Sequence, residues 1–338
     1  MTGSGTARIA VVGGGSWGTA FAALQANRHG EIPLWVREEE VCAEIRESRE
    51  NRVFLPGIPV PGGVRPTTSL EEALAGRTIV AFAVPSHHLR SVAAAAAPFL
   101  APEASLVSLA KGLENESLLR MTEVLAQAAP AHSARTAVLS GPTFAREVAA
   151  GKPAGAVLAS SDPELAVRLQ EALSGKRFRV YAGTDVTGVE LGGALKNVMA
   201  IAAGMADGLA FGHNARALLI SRGLAEIARL GVRLGADPRT FTGLSGLGDL
   251  VLTCTGDLSR NRTVGVRIGK GEAVAEVLGG MRMVAEGVRT SRAAVDLADR
   301  TGVPMPVSEQ VHRILHEGKG VREAVSELFA RALRMEPE

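Results

Sequence analysis

Two cysteines, Cys42 and Cys254, are all that the 338-residue chain contains. Two thiols exclude a disulfide framework and a multi-cysteine metal centre. They fit a reducing compartment, and the expected location is the cytoplasm. Long apolar runs are missing too. Val92–Leu100 is interrupted by Pro98, and Val198–Ala206 stops at Asp207; both fall far short of the roughly 18 apolar residues of a membrane helix. A signal peptide is not expected, because the apolar N-terminal segment already reads as a strand. Charge of either sign is not in excess: Lys+Arg is 37 and Asp+Glu is 35, a formal net charge of +2. No basic cluster runs beyond two residues, so a nucleic-acid partner is not expected. Lysine is scarce, occurring only at positions 111, 152, 176, 196, 270 and 319. Arginine is the default base here, and a lysine in apolar surroundings calls for a reason.

What is present describes a globular chain. Hydrophobic residues make up 46% and charged residues 21%, enough apolar material for a large core. The length predicts about two domains. In the first half, short β-branched runs alternate with helical stretches. Strands are read at Arg8–Val12, Ile32–Val36, Thr78–Val84, Ser105–Leu109, Thr136–Leu139, Ala156–Ala159 and Phe178–Tyr181, with a helix at Trp17–Arg28. That alternation predicts a Rossmann-like, doubly wound, mainly parallel sheet over residues 1–188. Beyond it every periodic segment is helical: Leu191–Leu209, Ala215–Leu234, Thr263–Ile268, Glu272–Leu278, Thr290–Thr301, Ser308–His316 and Val321–Leu333. An all-α C-terminal domain over residues 189–338 follows.

The first strand runs into Gly13-Gly14-Gly15-Ser16-Trp17-Gly18, which fits G-x-G-x-x-G and opens a helix. That context makes it a dinucleotide loop. Gly13 permits the tight turn, Gly15 lets the backbone approach a pyrophosphate, and Gly18 lets helix and strand pack closely. The helix start adds free N–H groups and the positive end of a dipole. At the end of the second strand, where a carboxylate would bind a ribose 2′-hydroxyl, stands Arg37. Arginine suits a 2′-phosphate, so NADP(H) is preferred, while Glu38, Glu39 and Glu40 keep NAD(H) possible.

Lys196 stands in Leu191-Gly192-Gly193-Ala194-Leu195-Lys196-Asn197-Val198-Met199-Ala200. Its helical face carries glycine, alanine and methionine and no carboxylate one turn away. The two glycines are expected to leave open space beside the ammonium, and a lysine short of water gives up its proton more readily than a solvated one. A lysine snorkelling to the surface is the alternative. Lys111-Gly112 and Ser140-Gly141-Pro142-Thr143 each end a strand, where open parallel sheets bind ligands. Asp249, after Gly246-Leu247-Gly248, either caps the next helix or does chemistry. Ser259 can cap a helix whose first turn holds Arg260 and Asn261, a ready anion site. The histidines show no third ligand, so no metal is expected.

Taken in order, Gly13–Gly18, Val84-Pro85-Ser86-His87, Lys111-Gly112, Ser140–Ala145, Gly192–Asn197, Gly246–Leu250 and Ser259–Arg262 closely resemble the bacterial NAD(P)-dependent glycerol-3-phosphate dehydrogenases. The resemblance extends from about residue 7 to about residue 333. It implies reversible reduction of dihydroxyacetone phosphate to sn-glycerol 3-phosphate for phospholipid biosynthesis. It also implies that Lys196 is the proton donor and acceptor, with Lys111 and Asp249 beside it in the catalytic set. Substrate contacts are implied for Lys111, Gly141, Thr143, Lys196, Asp249, Thr253, Ser259, Arg260 and Asn261. Cofactor contacts are implied for Gly13, Gly15, Ser16, Trp17, Gly18, Arg37, Lys111, Ala145, Arg260, Val284 and Glu286. A homodimer is expected from the family habit. The competing readings are a two-domain dehydrogenase for a carboxylate substrate, of β-hydroxyacid or ketopantoate type, and a non-catalytic NADPH sensor.

Overall fold

The computed structural model describes residues 7–281, 285–332 and 335. Those residues divide into two compact units. One runs up to Lys111 and from Leu119 to Val186; the other holds Gly112–Leu118 and everything described from Thr187 onward.

The first unit carries ten strands: β1 (Ile9–Val12), β2 (Ile32–Trp35), β3 (Glu50–Asn51), β4 (Leu55–Pro59), β5 (Val64–Thr67), β6 (Ile79–Phe82), β7 (Ser105–Ser108), β8 (Thr136–Ser140), β9 (Ala154–Ala159) and β10 (Phe178–Gly183). Eight form one sheet in the order β10-β9-β8-β7-β6-β1-β2-β5, and β3 pairs with β4 in a small hairpin. Every neighbouring pair of the large sheet is parallel except β8 with β9. The sequence explains this arrangement. Ile9-Ala10-Val11-Val12 and Ile79-Val80-Ala81-Phe82 are apolar at every position and buried at every position, as strands covered on both faces must be. One face packs with Phe21, Ile45 and Leu169, the other with Leu74, Leu89 and Leu125. From β1 the chain builds outward to β2 and β5 on one side and to β6, β7 and β8 on the other. The strand order therefore reverses between β1 and β6, the crevice where such sheets take ligands.

Strands β3, β4 and β5 were not expected from the sequence. Pro56, Pro59 and Pro66 interrupt their patterns. Proline is tolerated in β5 because that strand lies at the sheet edge.

In the second unit one helix dominates. Val186–Gly208 is buried at every residue from Gly188 to Ala206, and it begins five residues before the expected start. It meets the helix Arg260–Gly269 backbone to backbone. A Cβ on Gly204 would collide with the Arg262 carbonyl, and one on Gly265 with the Ile201 carbonyl. Glycine stands at these contacts because the two helix axes approach too closely there for side chains. The helices Gly212–Arg233, Asp249–Thr255, Val274–Gly279, Glu286–Thr301, Pro306–Glu317 and Val321–Phe329 pack around them. The last helix ends at Phe329, short of the expected end: Ala330 caps it and residues 331–332 are not helical, while Leu333 lies outside the described residues. Leu113 and Leu118 belong to this unit's core, although the sequence counted them with the sheet. No described helix is long and apolar enough to cross a membrane.

Candidate functional site

The glycine loop follows β1 at the strand-order reversal. Gly13 has φ +120°, and a Cβ there would stand 2.7 Å from the Ala83 carbonyl just beyond β6. A Cβ on Gly18 would strike the Gly13 carbonyl. At Gly15 the same atom would meet nothing within 4 Å, so the backbone there faces open space. The helix Ser16–His29 starts at this point with no side-chain cap and no acidic residue in its first turn. Trp17 Nε1 is buried with no hydrogen-bond partner among the described residues. Arg37 is exposed and bonds Glu38 at 2.6 Å.

Further along the same sheet, Lys111 Nζ donates to the Gly141 carbonyl at 2.8 Å and lies 3.4 Å from Thr143 Oγ1. Gly141 holds φ +145°, with space for its missing Cβ taken by Ala156. Ala145 opens the short helix Ala145–Ala149.

The second unit holds the other predicted residues. Lys196 is 5% exposed and Asp249 is 1% exposed, so the snorkelling alternative is excluded. Lys196 Nζ donates to Asp249 Oδ1 at 2.6 Å and to Thr253 Oγ1 at 2.8 Å. The partner missing one turn away on the helix comes instead from 53 residues downstream. Asp249 is the first residue of the helix Asp249–Thr255 and does not cap it; Gly248 takes that position. The space over Gly192 is not open as expected. A Cβ there would lie 2.6 Å from the Ser245 carbonyl, because the π-helical turn Leu244–Gly248 packs its backbone onto the helix one turn before Lys196. That turn delivers Asp249 to the lysine. Neighbouring Cys254 is fully buried, and burial pushes its thiol up to about 12.

Ser259 caps the helix Arg260–Gly269, its hydroxyl accepting from the Arg262 N–H at 3.2 Å. Asn261 Nδ2 donates to Asn197 Oδ1 at 3.0 Å, and Asn261 Oδ1 accepts from the Gly287 N–H at 3.0 Å. One Nδ2 hydrogen of Asn261 has no role in these two bonds. Arg260 is exposed at its surface, but desolvation by surrounding protein lowers its pKa, opposed by Glu286. Glu286 begins the helix Glu286–Thr301, and Val284 lies outside the described residues. Asn197 belongs to this cluster through its bond from Asn261. An asparagine inside a long apolar helix is the signal that marks it.

Comparison with known proteins agrees over both units. Residues 8–166 match the profile of the NAD-dependent glycerol-3-phosphate dehydrogenase N-terminus, and residues 185–326 match that of its C-terminus. The chain belongs to this family. A glycerol-3-phosphate dehydrogenase [NAD(P)+] of Geobacter sulfurreducens is 53% identical over 97% of the chain and 98% of that relative. One from Myxococcus xanthus is 51% identical with the same coverage. A crystal structure of glycerol-3-phosphate dehydrogenase from Coxiella burnetii superposes with a TM-score of 0.91 at 39% identity, covering 97% of the chain and 100% of that structure. A ketopantoate reductase of Ralstonia eutropha reaches a TM-score of 0.57 at 19% identity, covering 94% of this chain and 98% of its own, a likeness of fold alone.

Proposed function

We propose that the protein reduces dihydroxyacetone phosphate reversibly to sn-glycerol 3-phosphate with NAD(P)H, supplying phospholipid synthesis. Family membership supports the reaction, and the buried Lys196–Asp249–Thr253 cluster is the observation that carries the mechanism. The glycine loop suits a dinucleotide: Gly15 offers backbone facing open space, the helix behind it starts without a side-chain cap or an acidic residue and turns its positive dipole end to the loop, and Trp17 Nε1 awaits an acceptor. Gly13, Gly15, Ser16, Trp17 and Gly18 would hold its pyrophosphate end, and Arg37 a 2′-phosphate. When bound, the dihydronicotinamide supplies the hydride that the carbonyl carbon receives.

The carbonyl oxygen then needs a proton, and Lys196 gives it. Asp249 pairs with that lysine, and the two bonds at 2.6 and 2.8 Å fix where Nζ stands. In the reverse direction the same nitrogen takes the hydroxyl proton. Arg260, the capped start of its helix and the remaining Nδ2 hydrogen of Asn261 bind the substrate phosphate. That remote binding orients the reacting carbon and contributes to the chemical step. Lys111, held by Gly141 and Thr143, adds a second cation on the substrate side. Late cofactor contacts fall to Ala145, Arg260, Val284 and Glu286. We further propose a cytoplasmic homodimer; the two free thiols support the compartment. Light scattering on the purified protein tests the stoichiometry.

Absorbance at 340 nm with dihydroxyacetone phosphate tests the function. Turnover is expected with NADPH faster than with NADH. Arg37→Asp shifts the preference toward NADH, and an unchanged ratio removes Arg37 from cofactor choice. Arg260→Ala raises the substrate KM, and an equal loss with phosphate-free dihydroxyacetone would exclude the phosphate role. Absence of turnover with either cofactor would overturn the proposal.

A further inference from the structure

We infer that Asn51 is a positioning residue for the dinucleotide, acting through the carbonyl of Gly14. The inference rests on the assignment of the glycine loop as the dinucleotide site and deepens it. Asn51 is fully buried and lies in β3, outside the G-x-G-x-x-G motif. Its Nδ2 donates to the Gly14 carbonyl at 2.8 Å and to Thr19 Oγ1 at 2.8 Å. Thr19, also fully buried, closes the triangle by donating to the same carbonyl at 3.2 Å. The opposite end of the amide is fixed as well, because Asn51 Oδ1 accepts from the Phe54 N–H at 3.0 Å. A backbone N–H can only donate, so the amide has one orientation and both Nδ2 hydrogens point to the loop. The Phe54 carbonyl in turn accepts from Ser16 Oγ at 2.5 Å. The segment from Asn51 to Phe54 is thus bonded to the loop at Gly14, Ser16 and Thr19. The hairpin behind it is held by the Gly57 N–H donating to Glu50 Oε1 at 2.7 Å.

The consequence follows from peptide geometry. In a trans peptide the C=O of Gly14 and the N–H of Gly15 point in opposite directions across one plane. Two donors pulling the Gly14 carbonyl toward Asn51 therefore turn the Gly15 N–H away from Asn51. A Cβ built on Gly15 would meet nothing within 4 Å, so the space beside this residue is open to an approaching pyrophosphate. Glycine flanks this peptide on both sides, so its flip costs little sterically. Something outside the motif must select the orientation, and the Asn51 amide does so.

The test measures binding of NADPH, and of 2′-AMP, which lacks the pyrophosphate, to wild type, Asn51→Asp, Thr19→Val and Thr19→Ser. Asn51→Asp keeps an acceptor for Phe54 but replaces both donors with a charged acceptor. Calorimetry should show NADPH affinity falling roughly tenfold or more, the scale of a lost buried hydrogen bond, with 2′-AMP affinity unchanged. Saturating NADPH should restore kcat, and the KM for dihydroxyacetone phosphate should stay near wild type. If Asn51→Asp fails to fold, Thr19→Val decides: it should weaken NADPH alone, and Thr19→Ser should restore the affinity. NADPH affinity unchanged in the folded variants, or an equal loss for both ligands, overturns the inference. Failure of wild type to bind NADPH overturns the dinucleotide assignment instead.

Discussion

Separating Lys196 from Asp249 should damage stability and turnover by different amounts, and the structure gives the scale of each. At 2.6 Å, two unit charges attract by about 6 kcal/mol for an effective dielectric near 20. Desolvation of both groups opposes most of that. Removing one partner is another matter, because it strands the other charge in a site 5% or less exposed; such losses run to about 3–5 kcal/mol. Asp249→Asn, which preserves shape and leaves an acceptor for Nζ, should fall toward the lower end. Lys196→Met strands the carboxylate and should cost a similar amount. The double variant Lys196→Met/Asp249→Leu removes both charges and should recover part of the loss, giving a coupling of at least about 1 kcal/mol in guanidinium unfolding. In the 340 nm assay Lys196→Met should lower kcat by roughly 10²–10⁴. Its NADPH affinity should hold, because the glycine loop belongs to the other compact unit. Strict additivity of the two single losses would refute the coupled pair. A folded Lys196→Met enzyme with near-normal kcat would refute the proton-transfer role.

Two further outcomes concern groups away from the chemistry. Glu226 is buried, and burial raises its pKa to about 7 despite bonds from the Val307 and Ser308 N–H groups. An acid raised in the folded state binds more protons folded than unfolded between about pH 4.5 and 7, so its contribution to stability falls as pH rises through that window, by up to about 3 kcal/mol. Glu226→Gln lacks that slope, so the stability difference between wild type and variant should change with pH across this window, and parallel curves would sink the assignment. Cys254, fully buried with its thiol at about 12, should resist iodoacetamide at pH 8 in the native enzyme and react once the chain is unfolded; labelling of the folded protein would contradict this.

What could be read from the sequence depended on whether a residue's reason lay close to it in the chain. The glycine loop was legible because its spacing is local and Gly18 answers to the Gly13 carbonyl five positions back, even though the Ala83 carbonyl that crowds Gly13 comes from beyond β6. Lys196 was legible as a misfit, an ammonium on a face of glycine and alanine. Its partner was not, since helical spacing says nothing about a carboxylate 53 positions downstream. Asn51 gave no signal, because a lone asparagine among Arg52, Pro56 and Gly57 reads as a loop residue. Glu226 resembled the charged face of an amphipathic helix, and the N–H groups that claim it come from 81 and 82 residues further on. The early start of Glu286–Thr301 was hidden because Glu286-Gly287-Val288-Arg289 lacks an apolar period, whereas the Gly287 N–H is held by Asn261.

The glycines of the helix Val186–Gly208 carry this further, to a prediction that distinguishes two collisions of one kind. Glycine in a helix costs up to about 1 kcal/mol against alanine, so each needs a reason in the packing. At Gly192 the reason is the Ser245 carbonyl, and four residues beyond Ser245 stands Asp249. At Gly204 it is the Arg262 carbonyl, two residues from Arg260. Alanine at either position must push its neighbour away, and both variants should lose stability, by about 1–3 kcal/mol as for an overpacked core. Their kinetics should differ. Gly192→Ala moves the turn that brings Asp249 to Lys196 and should lower kcat with little change in substrate KM. Gly204→Ala moves the start of the helix that carries Arg260 and Asn261 and should raise KM for dihydroxyacetone phosphate first. The 340 nm assay on both variants, at a temperature where both remain folded, separates these effects. Equal changes in kcat and KM for the two alanines would mean that the glycines serve packing density alone and do not aim the groups beyond them.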